Sequence, residues 1–320
     1  MRKALIIGHQ GQDGQLLWQC LSKKGYDLMG WGREAIRSNL SFNLAPVNIS
    51  SSEEVSRAVD LFGPDEIYHL AAYHHSSEQL FTDNVPLFQK SVDINLMSLL
   101  NVLQAVHNSL PSCRVFYAAS SRIFGASQTE IQTETSPVQP FCAYGITKVG
   151  GLHACRYFRD KHATYASVGI LFNHESVLRA PFYLSKKIIS TALAIKRGRT
   201  EKLILGNLQS GADWGYAPDT MEAIHAILQL PQGDDFIIAT GEKNTVQGFA
   251  ETAFRLLGLD WREHVEENRQ ILREIRTPLI GDFSKLQKAT GWKPRHSFEE
   301  MIRQLILDEG GEAELFTKPF

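Results

Sequence analysis

Tyr144-Gly145-Ile146-Thr147-Lys148 sets a phenol and an ammonium one helical turn apart, on the same helix face. A cation beside a phenol favours the ionised form, so the pair is expected to lower the tyrosine pKa toward a range useful for proton transfer. The spacing alone discriminates little, because Tyr157/Lys161 and Tyr183/Lys187 repeat it. Placement separates the three. Tyr144 opens a helical pattern that follows a strand ending in the hydroxyl pair Ser120-Ser121. Tyr157 falls late in that helix, where packing is the ordinary role, and Tyr183 lies beyond the region of regular alternation. Ser120, Tyr144 and Lys148 are therefore the expected proton-handling group.

The elements that must position them follow from periodicity. Short apolar β runs at Ala4–Ile7, Asp27–Trp31, Glu66–Ala72, Arg114–Ala119 and Tyr165–Phe172 alternate with amphipathic stretches. Those stretches lie near Gly14–Lys24, Ser52–Leu61, Leu87–Asn108 and Tyr144–Lys161. Each crossover has to return over the sheet, so the expected fold is α/β, a doubly wound parallel sheet. After the first run, Gly8-His9-Gln10-Gly11-Gln12-Asp13-Gly14 gives a GxxGxxG spacing between a strand and a helix expected to begin at about Asp13-Gly14. Glycines there permit a tight turn and close approach of a pyrophosphate, which the helix N-terminus then faces. Gly8, Gln10, Gly11, Gln12, Asp13 and Gly14 thus read as a dinucleotide loop. At the end of the second run, Trp31-Gly32-Arg33-Glu34 offers Arg33 to a ribose 2′-phosphate and Glu34 to a free hydroxyl. NADP(H) is favoured, with NAD(H) as the alternative.

The 320 residues are long for one core and suit two. With 43% hydrophobic and 21% charged residues the chain is neither disordered nor fibrous. A net charge of −2 removes the strongest argument for nucleic acid as a partner. Cys20, Cys113, Cys142 and Cys155 form no CxxC pair and no metal-ligand spacing, so reduced thiols and no metal are expected. The first apolar run is too short for a signal peptide and no segment suffices for a membrane span, so a cytoplasmic location is expected.

The glycine loop, the strand-end serine and Tyr144/Lys148 together resemble the extended short-chain dehydrogenase/reductase superfamily, with its Rossmann-like sheet and smaller substrate lobe. Within it the chain most resembles GDP-mannose 4,6-dehydratases. That closer likeness rests on Gly11-Gln12-Asp13-Gly14, the run Gly169–Ser176, Leu205-Gly206-Asn207-Leu208, Asp213-Trp214-Gly215, the run Phe236–Glu242 and Trp292-Lys293-Pro294-Arg295. The resemblance implies a nicotinamide cofactor held also by Asn48, Leu70, Ala71, Ala72, Tyr144 and Lys148. It implies a nucleotide-diphosphate sugar, favouring a GDP-sugar, and a homodimer or homotetramer. Ser120, Asn173, Arg179, Lys187 and Arg273 are the implied substrate contacts, with Lys186 and Arg276 nearby; His74, at the carboxyl edge of the sheet, Arg122 and Glu175 are expected beside them. The dinucleotide domain is expected over 1–172 plus about 214–245, and the sugar-nucleotide lobe over about 173–213 plus 246–320.

Departures redirect the expected chemistry. The family's strand-end Thr-Ser-Glu reads Ser120-Ser121-Arg122 here, so Arg122 stands where a glutamate removes the C5 proton and passes it to the departing 6-hydroxyl. A guanidinium stays protonated and cannot be that base. A family diphosphate arginine before Asp-Trp-Gly is Ala212. Hydride-transfer residues without an elimination base point to an NADPH-dependent reductase of a 4-keto(-6-deoxy) nucleotide sugar. Tyr144 would donate the proton, Ser120 would hold the carbonyl oxygen, and Arg122 could add positive charge near it. Three alternatives stand beside it: a dehydratase using His74, His75 or Glu175 as base, a nucleotide-sugar epimerase, and a catalytically silent nucleotide-sugar-binding protein.

Overall fold

The computed structural model describes residues 1–33, 36–40, 45–74, 83–125, 127, 129–271 and 278–312. Seven strands form the main sheet: β1 (Lys3–Ile7), β2 (Asp27–Trp31), β3 (Ile36–Ser38), β4 (Glu66–His69), β5 (Arg114–Ser120), β6 (Ala166–Leu171) and β7 (Asp235–Ile238). Their order is β7-β6-β5-β4-β1-β2-β3, parallel throughout except for β2 against β3. A continuous apolar run is what a strand covered on both faces requires. In β1, Ala4 and Ile6 enter one core while Leu5 and Ile7 enter the other.

The helices supply those cores. On one face lie α2 (Ser52–Phe62), α4 (Ser98–Ser109) and α5 (Ala143–His162); on the other lie α1 (Gln12–Lys23) and α7 (Ala217–Leu228). The run from Asn84 to Ser109 is one continuous rod, with α3 (Asn84–Val92) joined to α4 by a π-helical turn at Asp93–Met97. Its start at Asn84 is earlier than periodicity suggested, because the Asp83 carboxylate caps Val85 N. A third core packs α6 (Leu184–Lys196), α8 (Val246–Leu256) and the helix Phe298–Asp308 around Leu203, Leu205 and Trp214. The fold is a doubly wound Rossmann-like α/β sheet carrying a second, smaller lobe.

The expected strand over Glu66–Ala72 stops at His69. Beyond it the chain passes against the glycine turn, where a Cβ on Gly8 would lie 2.7 Å from Ala71 N. Periodicity did not indicate the two edge strands. β3 is only three residues long, and β7 begins with Asp235, a buried carboxylate held by Arg156 and Arg159 at 2.6 and 2.8 Å. Among the described residues no helix is long and apolar enough to cross a membrane.

Candidate active site

The carboxyl ends of β1, β4, β5 and β6 open into one cavity of about 430 Å³. Its walls include Gly8, Gly11, Gln12, Asp13 and Gly14 from the first turn, and Leu70, Ala72 and His74 after β4. Ser120 and Arg122 close β5, Tyr144 and Lys148 project from α5, and Asn173, Glu175 and Arg179 follow β6. The structure thus brings together most of the residues singled out in the sequence. Its location, outside the carboxyl ends of parallel strands, is where α/β sheets bind ligands.

The first turn is shaped by close approach. Gly8 has a φ of +94°, and a Cβ on Gly14 would fall 2.3 Å from Gly8 O. Any larger residue at either point would push the α1 N-terminus away from the strand. The helix opens at Gln12, a residue earlier than expected, so the N–H groups of its first turn face the cavity. A phosphate-bearing ligand is what such an opening accommodates.

Tyr144 sits at the start of α5, held close by Gly145, where a Cβ would lie 2.7 Å from Arg122 O. Ser120 Oγ accepts from Arg122 N at 3.3 Å, and its hydroxyl acts on the phenol so as to favour the ionised form. Lys148 is buried; its Nζ donates to Ala118 O at 2.6 Å and lies 4.7 Å over the Tyr117 ring. Burial lowers its pKa to about 7, despite the opposing charge of Asp13. The expected lowering of the tyrosine pKa is not found. Burial, with the negative charge of Asp13, raises the Tyr144 phenol above its ordinary range, although Ser120 and Arg122 act the other way. Lys148 spends its hydrogen bond on a backbone carbonyl, 5.5 Å from the Tyr144 ring centre, and burial prevails.

Asn95, in the π-helical turn, ties these parts together. Its amide accepts from Tyr73 N at 2.7 Å and donates to Tyr73 O and Thr147 Oγ1. Tyr117 Oη donates to its carbonyl at 3.0 Å. The loop carrying His74 is therefore pinned to α5, and the His74 ring meets Tyr144 edge-on, centres 4.8 Å apart.

A buried network joins the glycine loop to the segment after β6. His174 Nε2 lies 3.0 Å from Asp13 Oδ1, and its Nδ1 lies 2.7 Å from Phe172 O. Burial opposes both charges, but each partner overrides it: Asp13 is held well below the usual carboxylate range and the His174 imidazole is raised. Gln12 Nε2 donates to His174 O, while Ser176 Oγ donates to Gln12 Oε1 at 2.8 Å. Glu175 and Arg179 form an ion pair at 3.1 Å, with Ser185 donating to the same carboxylate.

The family model for GDP-mannose 4,6-dehydratase matches residues 5–305. This chain belongs to the GDP-mannose 4,6-dehydratase family. GDP-mannose 4,6 dehydratase 1 of Arabidopsis thaliana is 33% identical over 328 residues, covering 95% of this chain and 88% of that protein. Among solved structures, dTDP-glucose 4,6-dehydratase from Bacillus anthracis in complex with NAD superposes with a TM-score of 0.80 at 17% identity, covering 99% of each chain. RMD from Pseudomonas aeruginosa complexed with NADPH gives 0.79 at 18% identity, covering 97% of this chain and 99% of that one.

Against the family pattern, several expected contacts stand apart from the cavity. Ala212 packs against the third core, in a two-residue strand paired with Asn244–Thr245. Lys187 is half-buried on α6 and Lys186 is committed to Val177 O and Glu309. Asn48 serves the turn before α2, accepting from Ser50 N and donating its own N–H to Glu54. Arg33 is exposed at the end of β2, its N–H donating to Gln10 Oε1 at 3.1 Å. Glu34, His75, Arg273 and Arg276 lie outside the described residues. Sequence reasoning did not place Tyr183, Leu184, Ser185 or Trp214 in the site, yet all four line the cavity. For Tyr183 a signal existed, the repeated Tyr-x-x-x-Lys spacing.

Proposed function

We propose that this member of the dehydratase family reduces the 4-keto group of a nucleotide-diphosphate sugar, favouring a GDP-linked 4-keto-6-deoxyhexose. The observation that carries the reading is Arg122. It borders the cavity within electrostatic reach of Tyr144, and by the strand-end resemblance it stands where the family's glutamate acts in elimination. A guanidinium cannot accept the C5 proton. The first turn, with its glycine spacing and open helix end, fits a nicotinamide dinucleotide, and Arg33 at the β2 end favours NADPH over NADH. When bound, the reduced nicotinamide supplies the hydride.

The protein's own groups manage the proton. Tyr144, held in its neutral form by burial, donates to the oxygen developing at C4, and Ser120 hydrogen-bonds that oxygen. Lys148 orients the cofactor ribose next to α5. Burial holds the phenol protonated, the form from which reduction starts, whereas an opening oxidation starts from the phenolate. The relatives' dehydratase activity is the second reading, with His74 as the base nearest Tyr144. We read the protein as a cytoplasmic homo-oligomer.

The test is purified protein with NADPH and a GDP-4-keto-6-deoxyhexose, followed at the nicotinamide absorbance band. Oxidation of NADPH is expected, with Tyr144→Phe about 100-fold slower or worse. No oxidation by wild type removes the reductase. Conversion of GDP-mannose to a 4-keto product without added NADPH replaces it with the dehydratase, and elimination gained by Arg122→Glu would mark the missing base.

A further inference from the structure

Tyr183 is a second phenol lining the same cavity, at the N-cap of α6. It is not a packing residue of the third core. Its ring is fixed between two partners: Arg179 lies over it at 4.6 Å and Phe182 stacks on it with centres 4.9 Å apart, 27° between planes. Arg179 is itself held by Glu175 and by His174 O, so the ring's position is set from the buried network behind it. Tyr183 and Tyr144 line the same cavity, and a negative charge on Tyr183 would raise the Tyr144 phenol.

A 4-keto sugar between them presents two different acidic or basic demands. The C4 oxygen faces Tyr144 and Ser120. The carbons next to C4 carry hydrogens made acidic by the carbonyl, and the family's usual base for one of them is replaced by Arg122. Resting on the 4-keto reading above, we propose that Tyr183 is a second acid–base residue, which exchanges the proton on a carbon α to the C4 carbonyl. Tyr183 acts as its phenolate, its own proton released to solvent, and takes the α proton at Oη as the C–H bond breaks. The electron pair moves to the C4 oxygen as an enolate, hydrogen-bonded by Tyr144 and Ser120. Return of a proton from Tyr183 to the same carbon restores the ketone. No redox partner is consumed, and because Tyr183 exchanges its proton with solvent between the two transfers, the carbon takes up solvent hydrogen with its configuration kept. The site thereby adds proton exchange beside the carbonyl to hydride transfer.

The experiment places the protein in D₂O with NADP⁺ and a GDP-4-keto-6-deoxyhexose, and follows deuterium in the sugar by mass against a protein-free control. A parallel assay with NADPH follows hydride transfer. Wild type is expected to incorporate one deuterium well above background, and Tyr183→Phe to lower the ratio of exchange to hydride transfer about 100-fold. Equal NADP⁺ binding by the two proteins shows that the variant keeps its fold. Exchange by Tyr183→Phe at the wild-type rate overturns the inference. So does the absence of exchange in wild type, whether or not NADPH is oxidised. Exchange without NADPH oxidation sustains the inference and removes the reductase.

Discussion

Tyr144 and Lys148 are both buried enough that each is pushed toward its neutral form, the phenol upward and the ammonium downward. This has a measurable consequence in the folded state. Lys148 titrates at about 7, below its ordinary value of 10.5. Between those values the unfolded chain binds a proton that the folded chain does not, so this residue makes stability rise with pH across that window. Below it both states are protonated and the whole burial cost remains. Lys148→Met removes the charge and should melt several degrees above wild type near pH 6 in a thermal scan. The gap should shrink toward pH 10; a constant gap would show that lost packing or the Ala118 bond dominates.

The elements around the site work through close approach, and the first turn is the tightest of them. Gly14→Ala would set a methyl 2.3 Å from Gly8 O and 2.4 Å from His9 Cα, where backbone rather than a flexible side chain must yield. A cost of about 1–3 kcal/mol is expected in urea unfolding, with affinity for a nicotinamide dinucleotide falling by more than the stability loss explains. Much of this level was legible in the sequence. The five central strands and their helices announce themselves through apolar runs, since each strand is covered on both faces. The Ser120, Tyr144 and Lys148 group was legible because its members have characteristic positions along that alternation. The pairing of Asp13 with His174 was not, because it joins residues 161 apart that no local pattern relates. Neither was the rise in the Tyr144 pKa, which depends on how deeply neighbouring walls enclose the ring. Tyr183 carried a visible signal that was set aside because its segment lies beyond the regular alternation, and the fold returns that segment to the cavity.

For the whole molecule the decisive buried polar group is Asp213, which is fully buried. Its carboxylate accepts from Thr240 N and Oγ1 through one oxygen, and from Gly241 N and Gly281 N through the other. Three distant stretches meet at this side chain. Asp213→Asn keeps the shape but turns an amide NH₂ toward backbone donors. Each donor left unsatisfied is expected to cost about 1–3 kcal/mol, read as a lower urea midpoint. An unchanged midpoint would show that the amide finds other acceptors there.

The path of the chain through the sheet has a further consequence for its synthesis. β6 is complete once residue 171 has emerged, yet its outer neighbour β7 begins only at Asp235. During the intervening stretch the ribosome is delivering α6, the cavity-lining segment and α7, while one side of β6 offers unpaired N–H and C=O groups. Such an edge invites pairing with another nascent chain. Completing the main sheet therefore waits on the first part of the smaller lobe, and the walls of the cavity mature as one event.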